Sequence, residues 1–167
     1  WIGHKQGHGG TGVFPIYLQT PADPANPGEP DFWAYCIEHD IPVQVDRPGG
    51  IGDPSDYLGN NYYADPVVQG KVLWVLAHSY PAISLEDLAA AAGVESISRY
   101  DAIEATQYAV WRYTELTSDA NWNWAGSDDE AATEAVYWHL INDANANAGL
   151  TPADRAATVT VTAPSAS

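Results

Sequence analysis

Cys36 is the only cysteine among 167 residues, so no internal disulfide can staple this chain. Its fold has to be held by buried side chains. The thiol sits in residues 31–38, Asp-Phe-Trp-Ala-Tyr-Cys-Ile-Glu. That run is aromatic and β-branched and reads as a buried strand. With period two, Phe32, Ala34 and Cys36 share one face, and Trp33, Tyr35 and Ile37 the other. A lone thiol there is either inert packing, since free cysteine is among the most buried residue types, or a reactive centre. The stretch by itself leaves both readings open.

The material for a core is present: hydrophobic residues make up 46%, including seven Trp and ten Tyr. The length suits one compact domain. A net charge of −16 repels nucleic acid and anionic lipid, so neither is an expected partner, and it favours a soluble monomer. No apolar run is long enough to span a membrane. Lys5 and Lys71 are the two lysines. An acidic, Ala-rich composition accounts for their scarcity, and it also leaves few internal amines to attack an electrophile. A secreted origin fits an odd, reactive cysteine. The chain begins at Trp1, contains no Met and ends Thr-Ala-Pro-Ser-Ala-Ser, which reads as a piece of a larger protein running into a linker.

Residues 1–12 are rich in Gly and His. His4 and His8 are four apart, which would suit a metal on a helix, but the glycines argue for a flexible, solvated end and no metal is expected. Residues 11–20 should hold a strand, with Pro15 marking an edge or bulge. The prolines of 21–30 make a loop. The Cys36 strand follows, then an alternating stretch at 41–46 with Val43 and Val45. Residues 47–64 form a long polar loop, of a length that is usually functional or mobile. Asp53, Asp56 and Asp65 are too loosely spaced there for a calcium site.

The middle of the chain is helical. Asp65 and Pro66 open a helix over 67–79, which Pro81 ends. Ser84 caps a second over 85–92, with Gly93 as its stop. Asp101 is read as the cap of a third, running to about Leu116, and Ser127 with Glu130 as the capping box of a fourth, closed by Gly149. Between these two lies an aromatic loop with Trp122 and Trp124, either a carbohydrate platform or core anchors. Residues 157–162 alternate and should return as a strand. The order predicts an α+β domain spanning 1–167: a small sheet or barrel-like β part with a helical subdomain, about 66–149, inserted into it.

Gln107 stands out within the third helix. At helical spacing Ile103, Gln107, Val110 and Trp111 share one side, and that side is apolar except for the glutamine. A buried amide without hydrogen bonds costs about 1–3 kcal/mol. Gln107 therefore either bonds nearby backbone or is no longer an amide.

Tyr35-Cys-Ile-Glu38 and Thr106-Gln-Tyr-Ala-Val-Trp111 resemble the two signature motifs of the bacterial thioester domain. That domain occurs near the tips of surface proteins and pili of Gram-positive bacteria. Lys71-Val-Leu-Trp-Val-Leu-Ala-His-Ser-Tyr-Pro81 resembles the helix between them, and the resemblance spans about residues 31–140. It implies that Cys36 Sγ is joined to the side-chain carbonyl carbon of Gln107 with loss of ammonia. A thiolate is nucleophilic enough to attack an amide held against it, and burial protects the product from water. Such a closure over 71 residues would stabilise the fold by up to about 4 kcal/mol. The thioester would then take a lysine of a host surface protein, or another amine-bearing ligand, into an isopeptide bond. This is a single-turnover covalent attachment and not an enzyme's cycle. The implied setting is extracellular, on a cell-wall-anchored protein or pilus tip, and no cofactor is required.

His39 is the nearest candidate base in sequence, with His78 and His139 as alternatives on helices. Glu38 would orient His39 or face water. Tyr35 and Tyr108 flank the pair and would donate to the carbonyl oxygen or simply pack. Trp111 would shield the bond. Two rival classes stand beside this reading. One is a cysteine hydrolase with Cys36 as nucleophile, the other a non-covalent carbohydrate- or protein-binding module in which Cys36 only packs.

Overall fold

The structure, a computed structural model, describes residues 1–115, 124 and 126–147. Two short strands, β1 (Val13–Ile16) and β2 (Phe32–Tyr35), precede four helices: α1 (Pro66–Ala77), α2 (Leu85–Ala92), α3 (Arg99–Thr114) and α4 (Glu130–Ala146). The strands pair antiparallel, Val13 opposite Tyr35 and Ile16 opposite Phe32. The domain is α+β as expected, with two strands, not a barrel, in the sheet among the described residues. The returning strand expected at 157–162, and Leu116, Trp122 and Gly149, lie outside the described residues.

The N-terminal dozen residues correct the expectation of a flexible end. Ile2 bridges both Ile16 and Arg47, and Gln6 bridges Val13. The register against β1 shifts by one residue between these bridges. The extra residue lies within 3–5 of the N-terminal segment, opposite Pro15, which has no N–H to offer and keeps its regular register with β2. What glycine-rich composition hid is that the segment has a sheet edge to add to. The alternating stretch at 41–46 is the converse case. It forms no strand, and Ile41 and Val43 are exposed, because alternation without a neighbouring strand has nothing to pair with.

The helices start where short polar side chains meet free N–H groups. Asp65 accepts from the Val67 N–H with Pro66 in the first turn, and Ser84 accepts from Asp87 before Gly93 closes α2 at φ 73°. Two starts differ from the sequence reading. Ser98, not Asp101, caps α3, accepting from the Asp101 N–H. Asp129, not Ser127, caps α4, accepting from Ala132. Both displaced candidates serve across the fold. The buried Asp101 carboxylate accepts from the Asp128 and Asp129 N–H groups, 2.9 Å each, and Ser127 Oγ donates to Glu104 at 2.6 Å.

Helix α3 is the axis of the molecule. Ala102, Ala105 and Ala109 are buried and small, so α1 and α4 can approach its backbone, and Ile103, Val110 and Trp111 are buried on its remaining surface. Val72 and Val75 of α1, Leu88 of α2, and Val136, Leu140 and Ile141 of α4 complete the core. Each such aliphatic side chain contributes about 1.5–3 kcal/mol on burial. This core holds α3 rigid, and the end of β2 is seated on α3.

Candidate functional site

Strand β2 ends at Tyr35, so Cys36 stands one residue past it and is only half-buried, not within a buried strand. Continued by one step, the ladder would pair Cys36 with Gly12. Its polar backbone atoms go elsewhere. The Cys36 N–H donates to Gln107 Oε1 at 3.1 Å, and Gln107 Nε2 donates to the Cys36 carbonyl at 2.8 Å. The amide of a side chain on α3 thus takes the place of the next residue of the partner strand. Gln107 is completely buried, along with Ile103, Val110 and, nearly so, Trp111. The side of α3 picked out by helical spacing is buried, but so is nearly every other side of this helix. Burial pushes the Cys36 thiol above its ordinary range, and the nearby positive charge of Lys5 opposes that push.

The turn after Cys36 is tied to the same helix. Glu115 accepts from the His39 N–H at 2.8 Å and from Asn61 at 3.1 Å, and Asn61 also donates to the Ile37 carbonyl at 2.7 Å. Asn61 and Glu115 were not singled out from the sequence. One sits in a polar loop and the other at a helix end, and only the closed fold brings them to residues 37–39.

His39 packs edge-on against Trp111, ring centroids 4.6 Å apart, and its Nδ1 lies 2.7 Å from Asp40. Asp40 therefore orients the imidazole, whereas Glu38 interacts with Tyr57, whose hydroxyl is pushed up to about 12, chiefly by burial. Tyr35 is a pin. Its hydroxyl donates to the Tyr80 carbonyl at 2.6 Å beside Thr106, and burial drives its pKa far upward. Tyr108 packs against Trp111 and, edge-on at 5.4 Å, against Trp124. Trp124 is buried between Tyr108 and Tyr137, a core anchor and not an exposed platform. His78 stacks on Trp74 with Nδ1 at 2.8 Å from its carbonyl. His139 lies on α4, and no described hydrogen bond or ring contact links either histidine to Cys36 or Gln107. Asp53 and Asp65 serve as caps of a 3-10 turn and of α1. His8, Asp101 and Asp128 gather within 4.8 Å of one another, but both Asp101 oxygens already accept backbone N–H groups.

A buried glutamine on a central helix is closed onto the backbone of the lone cysteine by two hydrogen bonds. The family model for the thioester domain matches residues 33–146, and the chain belongs to that family of thioester-containing, adhesin-type domains. Searches of curated proteins and of solved structures gave no significant match. Among the described residues, no helix is long and apolar enough to cross a membrane.

Proposed function

We propose that Cys36 and Gln107 form an internal thioester, and that this thioester is opened once by a lysine amine of a surface protein on a host, leaving a covalent attachment. The observation that carries the reading is the paired hydrogen bond between the Gln107 amide and the Cys36 peptide. The Gln107 amide is held against the peptide of the residue that carries the thiol, which lowers the entropic barrier to their reaction. The Cys36 N–H points at Oε1, the oxygen that gains charge when sulfur attacks, so the nucleophile's own residue supplies an oxyanion donor.

In the closing step the sulfur bonds to the Gln107 side-chain carbon, the C–N bond breaks, and nitrogen leaves as ammonia carrying the thiol's proton. In the opening step the incoming amine bonds to that same carbon, the C–S bond breaks, and the amine's proton ends on the Cys36 sulfur. His39 is the side chain we assign to relay that proton. It is half-exposed at the rim, oriented by Asp40 and packed on Trp111, one helical turn from Gln107. Trp111 walls the site on the apolar side. A domain of this kind would act at the tip of a cell-wall-anchored protein or pilus, outside the cell.

Intact mass tests the reading. The purified domain should weigh one ammonia less than its sequence, and Cys36→Ala and Gln107→Ala should show no such loss. Methylamine should add one amine and release one titratable thiol. A fresh protein with the plain sequence mass and a free thiol sinks the proposal.

A further inference from the structure

The segment that adds to β1 brings one cation to the end of the sheet that Cys36 follows. Gln6 pairs with Val13, and Val13 with Tyr35, so these three share a face across three neighbouring extended segments. Alternation puts Lys5 and Gly12 on the opposite face, and Cys36 follows Tyr35 one residue past the end of β2. The Lys5 stem lies directly across Gly12: a Cβ there would stand 2.6 Å from Lys5 Cδ. The ammonium is tethered by the Thr11 carbonyl at 2.7 Å and by the Gly9 carbonyl. As a donor to two carbonyls it has no lone pair to offer, so it is a fixed charge, not a competing nucleophile. Its third N–H is left for another acceptor.

We propose that the Lys5 ammonium is the counter-charge of the Cys36 sulfur, stabilising the thiolate that closes the thioester and the same thiolate when an amine expels it. This rests on the thioester reading for its role in the reaction, but the placement of Lys5 across Gly12, at the Cys36 end of the sheet, does not depend on it. The other ionisable groups beside the thiol are engaged elsewhere: Glu38 with Tyr57, His39 with Asp40, and the Tyr35 hydroxyl with the Tyr80 carbonyl. Gln107, facing from α3, is neutral. The positive charge of Lys5 opposes the upward push that burial gives the thiol. Gly12 has a defined part in this arrangement, since any side chain there pushes the lysine stem aside.

The test uses protein treated with methylamine, which carries a free Cys36 thiol whether or not a thioester was there before. Thiolate absorbance is followed against pH. Lys5→Met should raise the midpoint by about 0.5–1 pH unit, Lys5→Arg should keep it near wild type, and Gly12→Ala, which retains the lysine but displaces it, should raise it as well. In untreated protein Lys5→Met should slow methylamine opening by about threefold or more, because the leaving thiolate is less stabilised. An unchanged midpoint in Lys5→Met overturns the proposal even where the ammonia loss is present. A shifted midpoint in protein that never lost ammonia upholds the pairing and overturns only the thioester.

Discussion

The Gln107 side chain meets the Cys36 peptide through two hydrogen bonds that close a ring, Cys36 N–H to Oε1 at 3.1 Å and Nε2 to the Cys36 carbonyl at 2.8 Å. The residues are 71 positions apart, and the contact joins the sheet to the central helix. It answers how a fully buried amide is satisfied.

That clamp has a measurable worth. Cys36→Ala abolishes any cross-link but keeps the Cys36 backbone groups that bond Gln107. Gln107→Ala removes both and leaves a buried void. Gln107→Ala should therefore be less stable than Cys36→Ala by about 2–4 kcal/mol in urea denaturation. Equal stabilities would mean that the amide contributes nothing beyond the cross-link.

Tyr35→Phe separates a pin from a catalytic donor. Losing the hydroxyl strands the Tyr80 carbonyl and should cost about 1–2 kcal/mol of stability. The rate of methylamine opening, followed by thiol release, should stay at the wild-type value. A rate that falls with unchanged stability would place the hydroxyl in the chemistry.

His39→Ala should slow methylamine opening by about tenfold or more, with the ammonia-deficient mass retained. Asp40→Asn, which changes only what Nδ1 faces, should slow opening less than His39→Ala does. A wild-type rate in His39→Ala would assign the proton relay to solvent.

Amine-opened protein should lose stability as pH rises above the ordinary thiol range. Burial raises the Cys36 pKa in the folded state, so the unfolded chain gives up its proton first. Between the two pKa values the unfolded state holds fewer protons, and the free energy of unfolding falls with pH. Denaturation of amine-opened protein and of Cys36→Ser at stepped pH should show the difference growing from about pH 8 upward. Untreated protein, with its sulfur acylated, should lack this component.

Local rules carried the reading of this chain a long way. Caps and stops located α1 and α2 almost to the residue, because Asp65, Pro66, Ser84 and Gly93 act on groups within one turn of themselves. Where several short polar residues cluster, local rules are degenerate. Ser98 competes with Asp101, and Ser127 with Asp129, and the winner depends on which carboxylate or hydroxyl a second helix recruits.

The sequence by itself determined the α+β character, since periodicity is written along one strand or one helix, and its motifs offered Cys36 and Gln107 as the residues to watch. Tertiary structure alone decided how they meet. It turned the Cys36 backbone from Gly12 to Gln107, drew Asn61 and Glu115 to the turn after it, and laid Lys5 across Gly12. Those contacts span long loops and depend on which chain fills the sheet edge. Hydrogen bonds and charges act through space, and no pattern along the chain records a neighbour that only folding supplies.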